Sequence, residues 1–243
     1  MSTRLEKSIF RKIRNANLKY GLIENGDRIA VGYSGGKDSY ALLYFLQLLL
    51  KYTPLDFSLQ PVYIDLGWKT DTVPLHETMG LLGVDLIEEQ TNISDIVFGI
   101  RKGKNPCAIC SHLRRGVLNR MAKKLNCNKV ALGHHRDDVV NTLLISILFE
   151  GHFKVFKPIT YLDQIDLHII RPLLYVPEKE ITSFAKAQNY VALGQECPAE
   201  GQTMRNEVDS WLNIMEEKHP QTRQNILKSI ENVNQTSFWN PHS

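Results

Sequence analysis

The chain has few cysteines and no long apolar run. Only 4 of its 243 residues are cysteine. The longest apolar run, residues 40–50, contains a glutamine and falls short of the about 20 residues that a membrane-spanning helix needs. The first 15 residues are charged and lack the apolar core of a signal peptide. We therefore predict a soluble cytoplasmic protein with no membrane contact, in which a disulfide framework is not expected.

Low-complexity tracts and internal repeats are also absent, and the apolar and charged fractions, 43% and 23%, are those of a globular protein. A net charge of +3 says little, but its distribution is uneven. Residues 101–124 carry eight lysines and arginines and no acidic residue. Such a stretch suits a polyanionic partner, although a solvated basic face is the alternative.

Apolar periodicity predicts helices alternating with buried strands. Strands are expected at residues 27–34, 57–65, 84–90, 129–134 and 167–176, and helices at 4–20, 35–52, 72–83, 110–126 and 136–151. This alternation is typical of an α/β fold with a doubly wound, mostly parallel sheet. No linker divides the sequence, so we predict one domain, residues 1–243. Its helical extensions are the N-terminal helix at about 4–20 and a C-terminal tail at about 203–235.

The sequence YSGGKDS, residues 33–39, follows the first predicted strand. Two adjacent glycines, Gly35 and Gly36, allow a sharp turn that aims several backbone N–H groups at one place. The positive end of the next helix adds to this, as do the hydroxyls of Ser34 and Ser39 and the charge of Lys37. The segment is neither a Walker motif nor GxGxxG. It predicts a phosphate site, and it resembles the PP-loop of the ATP pyrophosphatase superfamily, whose members split ATP into AMP and pyrophosphate.

Ligands of open α/β sheets bind beyond the carboxyl ends of the strands, so other polar side chains are expected beside this loop. The candidates are Asp38 within the loop, Asp65 after the second strand, and His134, His135, Asp137 and Asp138 after the fourth. Carboxylates beside a triphosphate could hold Mg²⁺. For Asp137 and Asp138 the alternative is capping of the helix that they begin, and for the histidines it is a structural role.

The paired thiols Cys107 and Cys110 form a CxxC, which in a cytosolic protein indicates metal or redox chemistry. Cys127 precedes an apolar strand and is interpreted as structural, whereas Cys197 lies in a polar loop. Three thiolates would leave one iron of a cubane cluster open to an outside ligand. The residues alone leave three possibilities open: an iron–sulfur cluster, zinc and a redox pair.

A resemblance covering about residues 5–235 goes further. The segments SGGKDS, PCAICSHLRRGVL, ALGHHRDDVVNTLL and IIRPLLYVPEKEI, followed by Cys197, occur in the order seen in the tRNA 2-thiocytidine synthetase family. That resemblance implies ATP- and Mg²⁺-dependent thiolation of an anticodon-loop cytidine in tRNA. It also implies a [4Fe–4S] cluster on Cys107, Cys110 and Cys197. The family often has a late CxxC, where this sequence offers Cys197 alone.

The reaction implied is adenylation of the C2 carbonyl of cytidine, followed by replacement of oxygen by sulfur, with release of AMP and pyrophosphate. Sulfur would come from a cysteine desulfurase or from sulfide, carried on the open iron or as a cysteine persulfide. A homodimer is possible by resemblance. The predicted catalytic residues are Lys37, Asp38, Arg114, Asp137 and Asp138. The predicted nucleotide-binding residues are Ser34, Gly35, Gly36, Lys37, Ser39, Asp65 and His134.

Other functions remain open at this stage. The same core could thiolate uridine or modify a small molecule, or the chain could be a zinc-stabilised nucleotide-binding module without catalysis. A third alternative, a protein in which the CxxC has only a redox function, would give no function to the glycine turn or to Lys37. Arg114 lies one helical turn past Cys110, and Arg171 lies at the end of a strand. Each could contact the nucleotide or the base, and the alternative for each is a structural role.

Overall fold

The computed structural model describes residues 3–68, 70–100, 106–193 and 204–234. Within these ranges the chain forms eight α-helices and six strands. The helices are α1 (Arg4–Tyr20), α2 (Lys37–Tyr52), α3 (Val73–Leu82), α4 (Pro106–Lys124), α5 (Arg136–Leu148), α6 (Glu178–Ala187), α7 (Met204–Lys218) and α8 (Thr222–Glu231). The strands are β1 (Asp27–Gly32), β2 (Phe57–Asp65), β3 (Ile87–Gln90), β4 (Lys129–Ala131), β5 (Ile159–Leu162) and β6 (Leu167–Ile170). No helix in the described ranges is long and apolar enough to cross a membrane.

The six strands form one sheet in the order β3-β2-β1-β4-β6-β5. All neighbours pair in parallel except β5, which runs antiparallel to β6 at the edge. The prediction of a doubly wound, mostly parallel sheet is therefore confirmed. The strand expected at 167–176 ends at Ile170, because a turn follows in which Leu173 and Leu174 are buried without belonging to the sheet.

Alternate residues of the central strands face opposite helix layers. Ala30, Val130 and Ile169 belong to an apolar cluster that includes Leu118 and Met121 of α4. Ile29 and Val31 point the other way by the twofold alternation of a strand, and α2 packs on that side together with α1 and α6. Both faces of the sheet are covered, as parallel sheets require.

Local signals set several helix ends. Thr3 and Glu6 form a capping box at the start of α1, and Gly21 ends that helix in the left-handed conformation. Gly83 closes α3 in the same way, as the sequence predicts. Because local residues alone determine these helix ends, the sequence predicts their positions closely.

The contact pattern divides the chain into two compact units. The first comprises residues 1–135 and 157–200 and contains the whole sheet with α1–α4 and α6; the second comprises 136–156 and 201–243 and contains α5, α7 and α8. In the second unit the buried Arg223 pairs with Asp137 on α5 and with Asp209 and Glu216 on α7. This ion-pair network joins the three helices.

Candidate active site

The chain reverses its direction across the sheet between β1 and β4. From β1 it proceeds outward to β2 and β3, and then returns to the opposite side of β1 as β4. The connections that leave two such strands diverge and open a crevice at their carboxyl ends, which is where open α/β sheets bind ligands. The glycine turn follows β1 and the LGHH segment follows β4, so both lie at this crevice.

Hydrogen bonds between residues 34, 36 and 39 hold the glycine turn in place. The Ser34 N–H donates to Ser39 Oγ over 3.1 Å, and that hydroxyl donates to the Gly36 carbonyl over 2.9 Å. Gly35 has a φ of 77°, in the left-handed region that favours glycine. Gly36 precedes α2 without a side-chain cap, so the positive end of the helix faces the turn with its N–H groups available to an anion.

Two groups from the segment after α6 hold the Gly35 carbonyl. The Tyr190 hydroxyl donates to it over 2.7 Å and the Leu193 N–H over 2.9 Å. The Tyr190 ring stacks on Tyr40 of α2 with centroids 4.0 Å apart, and its hydroxyl lies 3.0 Å from that of Tyr33. Burial raises the pKa of both Tyr33 and Tyr190, so both hydroxyls keep their protons at neutral pH. Sequence reasoning missed Tyr190, because nothing in its neighbourhood marks a contact made across some 150 residues.

Gly133 lets the chain after β4 approach the first turn of α2. A Cβ built at this position would lie 3.2 Å from both the carbonyl carbon and the oxygen of Asp38. Backbone atoms cannot move aside as a flexible side chain can. The close approach explains a glycine here, and it also fixes His134 and His135 beside the glycine turn.

Lys37 is engaged by two carboxylates. Its Nζ lies 3.1 Å from both oxygens of Asp38 and 2.9 Å from Glu178 at the start of α6. Burial lowers the pKa of Lys37, but hydrogen bonds and charges from Glu178 and Asp38 outweigh it and raise the pKa overall. The buried His135 lies 3.7 Å from Asp38 through Nε2. The lysine is therefore fully charged at neutral pH and lies next to the loop where phosphate is expected.

A cavity of about 400 Å³ joins the glycine turn to the paired thiols. Its wall includes Ser34 of the turn, Cys107 and Cys110 of α4, and His134 after β4. The remaining polar lining is Tyr33, Ser111, Arg114, Arg115 and Arg171. The structure thus brings together Ser34, His134, Arg114 and both thiols of the CxxC, which the sequence singled out from three separate segments.

Three predicted carboxylates, Asp65, Asp137 and Asp138, make other contacts in this structure. Asp65 does not line this cavity. Its carboxylate accepts a hydrogen bond from the Gly67 N–H, and it lines a second cavity with Glu88 and Thr91. Asp137 pairs with Arg136 and Arg223, and Asp138 with Arg205, all within the second unit. Roles for these three carboxylates in metal binding or catalysis stay predictions, as does the assignment of Cys197, which lies outside the described residues.

The thiols differ in their surroundings. Cys107 is exposed and Cys110 half-buried on the first turns of α4, whereas Cys127 is buried in the core, where burial raises the pKa of its thiol. The described ranges contain no group of three or more His, Cys, Asp and Glu residues placed to hold a metal ion. Cys107 and Cys110 are nevertheless two soft thiolate donors on one cavity wall, which suits an iron–sulfur cluster that takes a further thiolate from elsewhere in the chain.

The strand order and the glycine turn after β1 define a nucleotide-binding α/β protein of the PP-loop class. Residues 2–210 match the family described as a PP-loop domain. A tRNA-cytidine(32) 2-sulfurtransferase from Geotalea uraniireducens is 37% identical over 94% of this chain and 94% of its own length. One from Geobacter sulfurreducens is 38% identical over 92% and 90%. This chain belongs to the tRNA-cytidine 2-sulfurtransferase family, within the PP-loop proteins.

Solved structures share this fold. The U34-tRNA thiolase NcsA from Methanococcus maripaludis, solved with its [4Fe–4S] cluster, superposes with a TM-score of 0.78 at 25% identity, covering 94% of this chain and 78% of that one. The NH3-dependent NAD synthetase from Campylobacter jejuni superposes with a TM-score of 0.52 at 13% identity over 97% and 95% of the two chains. The second likeness concerns the fold alone.

Proposed function

We propose that this protein is an ATP-dependent, iron–sulfur-dependent tRNA sulfurtransferase. It adenylates the C2 carbonyl of an anticodon-loop cytidine and exchanges the oxygen for sulfur, releasing AMP and pyrophosphate. The observation that carries the proposal is the single cavity lined by both the glycine turn and the CxxC thiols. The activity of the relatives from Geobacter sulfurreducens and Geotalea uraniireducens, tRNA-cytidine(32) 2-sulfurtransferase, supports the same reaction and the same transferase class.

The glycine turn binds the pyrophosphate portion of ATP in this proposal. Gly35, Gly36 and the first turn of α2 supply backbone N–H groups, and the Ser34 and Ser39 hydroxyls close the turn. Lys37 keeps its charge at neutral pH and reaches a phosphate by leaving one of its carboxylate partners. A base carbonyl oxygen is a poor leaving group, and its adenylation converts it into AMP. Donors that are fixed in advance stabilise the departing pyrophosphate without further reorganisation.

Mg²⁺ is the expected partner of ATP here, and Asp38 is its first candidate ligand. The Asp38 carboxylate lies between Lys37 and His135 at the start of α2. Oxygen donors next to a triphosphate are what Mg²⁺ prefers. Asp65 lines the second cavity, and Asp137 and Asp138 would first exchange their arginine partners to bind a metal ion.

The thiols Cys107 and Cys110, with Cys197, hold a [4Fe–4S] cluster in this proposal. When bound by three cysteines, such a cluster supplies one iron position that is open to an outside sulfur ligand. Leu193, whose N–H donates to Gly35, precedes Cys197 by only four positions in the sequence. This short connection between the loop and the third thiol supports the choice of Cys197 over the buried Cys127.

The nucleic-acid partner in this proposal is tRNA, and Arg114 and Arg115 of the basic helix α4 line the cavity. Arg114 reaches the cavity one turn past Cys110 and would orient the target base or a phosphate. A cysteine desulfurase or sulfide supplies the sulfur, and the protein acts in the cytoplasm, as a monomer or a homodimer.

The deciding experiment is mass spectrometry of tRNA nucleosides from a strain that lacks this protein. Loss of 2-thiocytidine alone is expected, with restoration by the wild-type chain. Loss of a 2-thiouridine species instead would assign the protein to uridine, as in the U34-tRNA thiolase NcsA. Unchanged thionucleosides would contradict tRNA as the substrate and favour a small molecule. Anaerobically purified protein is expected to be brown; a colourless zinc protein would contradict the cluster.

A further inference from the structure

The outer face of α1 carries a row of basic side chains. Four exposed residues lie three or four positions apart along the helix: Arg4, Lys7, Arg11 and Arg14. This spacing places them on one face of the helix, and we call them the α1 stripe. The stripe is about 15 Å long, because a helix rises about 1.5 Å per residue. The acidic residue of α1, Glu6, is buried and forms the capping box with Thr3, so no carboxylate of this helix lies on the stripe.

The fold does not use the charges of the α1 stripe. Among the described residues, the structure shows no ion pair or hydrogen bond for any of its four side chains. Lys12, which lies outside the stripe, differs, because it pairs with Glu180 of α6 and so helps to attach α1 to the protein. A basic residue of α1 that supports the fold therefore has a carboxylate partner, and the stripe has none in the described part of the chain.

Helix stability does not explain the α1 stripe either. Like charges three or four residues apart on a helix repel one another. Basic groups in the first turn also oppose the positive end of the helix, and Arg4 begins α1 with Lys7 one turn further on. The stripe therefore lowers the stability of the free protein slightly, and an anionic partner bound along the helix would offset this loss.

The partner that fits the α1 stripe is a nucleic acid. A helix that binds a membrane surface inserts its apolar face, but the apolar face of α1 is buried against the protein through Ile9, Phe10 and Ile13. Leu18 is the one large apolar side chain that α1 exposes. A nucleic-acid strand carries about four phosphates over about 15 Å, which matches the number and the spacing of the charges on the stripe.

The α1 stripe is separate from the candidate active site. The helix α1 packs with α2 and α6 on one side of the sheet, whereas α4, with its thiols and arginines, packs on the other side. The described lining of the cavity includes no residue of α1. An RNA on the stripe therefore contacts the protein outside the cavity that takes the reacting base.

We propose that the α1 stripe is an RNA-backbone surface that binds phosphates of the tRNA outside the active-site cavity. Contacts of this kind position an RNA by its charge and do not read its sequence. The choice of tRNA rests on the proposed function, whereas binding to the stripe can be measured without turnover. Because phosphate contacts release counterions, each contact also contributes to the salt dependence of binding.

The test measures the affinity of the full, anaerobically purified protein for an unmodified tRNA transcript at several salt concentrations. The Gln variant is Arg11→Gln/Arg14→Gln, and the Lys variant, Arg11→Lys/Arg14→Lys, keeps the charge. The control of equal charge change is Lys218→Gln/Lys228→Gln, because both lysines are exposed, on α7 and α8 of the second unit. Urea unfolding and calorimetric titration of pyrophosphate report on the fold and on the glycine turn.

We expect the Gln variant to bind tRNA at least about tenfold more weakly, with a salt slope that is smaller by about 1.5. The Lys variant and the control should bind tRNA as the wild type does. The Gln variant should also be at least as stable as the wild type in urea and bind pyrophosphate equally well. Unchanged tRNA affinity in the Gln variant would overturn the proposal, as would an equal loss in the control.

Vesicles of anionic lipid test the membrane alternative. If they bind the wild type and not the Gln variant, while tRNA binds both equally, the stripe is a membrane surface and the proposal fails. A Gln variant that loses tRNA affinity, in a protein whose deletion leaves tRNA thionucleosides unchanged, would uphold the RNA surface and refute the proposed function. Lost thionucleosides together with unchanged affinity of the Gln variant would refute the surface alone.

Discussion

The Tyr190 hydroxyl donates a hydrogen bond to the glycine turn, and Tyr190→Phe removes this hydrogen bond with little other change to the packing. The substitution deletes one hydroxyl and keeps the ring that stacks on Tyr40 at 4.0 Å. It removes the 2.7 Å hydrogen bond to the Gly35 carbonyl and the 3.0 Å contact with the Tyr33 hydroxyl. The Leu193 N–H still holds the Gly35 carbonyl, so we expect the turn to loosen and not to unfold.

The magnitude follows from the bonds that are lost. One neutral hydrogen bond contributes about 0.5–1.5 kcal/mol, and the Tyr33 hydroxyl, now with one partner fewer, adds a penalty of similar size. We expect the free energy of unfolding to fall by about 1–3 kcal/mol. Because the Gly35–Gly36 peptide orients the N–H groups of the turn, pyrophosphate and ATP should bind about three- to tenfold more weakly, since about 1.4 kcal/mol corresponds to a factor of ten.

The assay pairs urea unfolding with calorimetric titration of pyrophosphate. Tyr161→Phe is the control, because it likewise deletes one hydroxyl, here on the exposed edge strand β5, and that hydroxyl donates a 3.0 Å hydrogen bond to Asp166. The control should leave pyrophosphate binding unchanged. If Tyr190→Phe loses stability but binds pyrophosphate as tightly as the wild type, then the hydroxyl does not orient the turn and the reasoning fails.

Two further pairs of substitutions test the close approach of Gly133 and the ligands of the cluster. Gly133→Ala places a Cβ 3.2 Å from the Asp38 backbone and should cost about 1–3 kcal/mol of stability and weaken ATP binding, whereas Gly116→Ala, with nothing within 4 Å, should be neutral or stabilising in urea unfolding. A Gly133→Ala protein as stable as the wild type would show that α2 shifts freely. Cys197→Ala should abolish retention of iron and of visible absorbance after anaerobic purification while Cys127→Ala retains both; the reverse pattern would assign the third thiolate to Cys127.

Elements with strong local signals were predicted closely. The N-terminal helix and β2 have the predicted bounds, and the glycine turn lies where the sequence places it, after β1 and before α2. The antiparallel strand β5 and the helix α6 were missed. The four residues of β5 at the sheet edge show no clear periodicity, and the start of α6 stands out in the sequence only as the end of the IIRPLLYVPEKEI motif. The strand expected at 129–134 ends at Ala131, because the chain leaves the sheet to pass α2 at Gly133.

The sequence by itself determined the chemistry of this protein: a glycine turn that can bind phosphate, a CxxC that can bind a soft metal, and a basic helix that can face RNA. These signals are local, because residue type and spacing alone create each of them. Only the tertiary structure decided which groups meet. It places Arg171 and Ser34 on the wall of one cavity with the thiols, holds Gly35 with Tyr190, and gives Lys37 the carboxylate of Glu178 as a partner. Such contacts join residues that are far apart in the chain, and they arise only when the sheet brings the ends of its strands together.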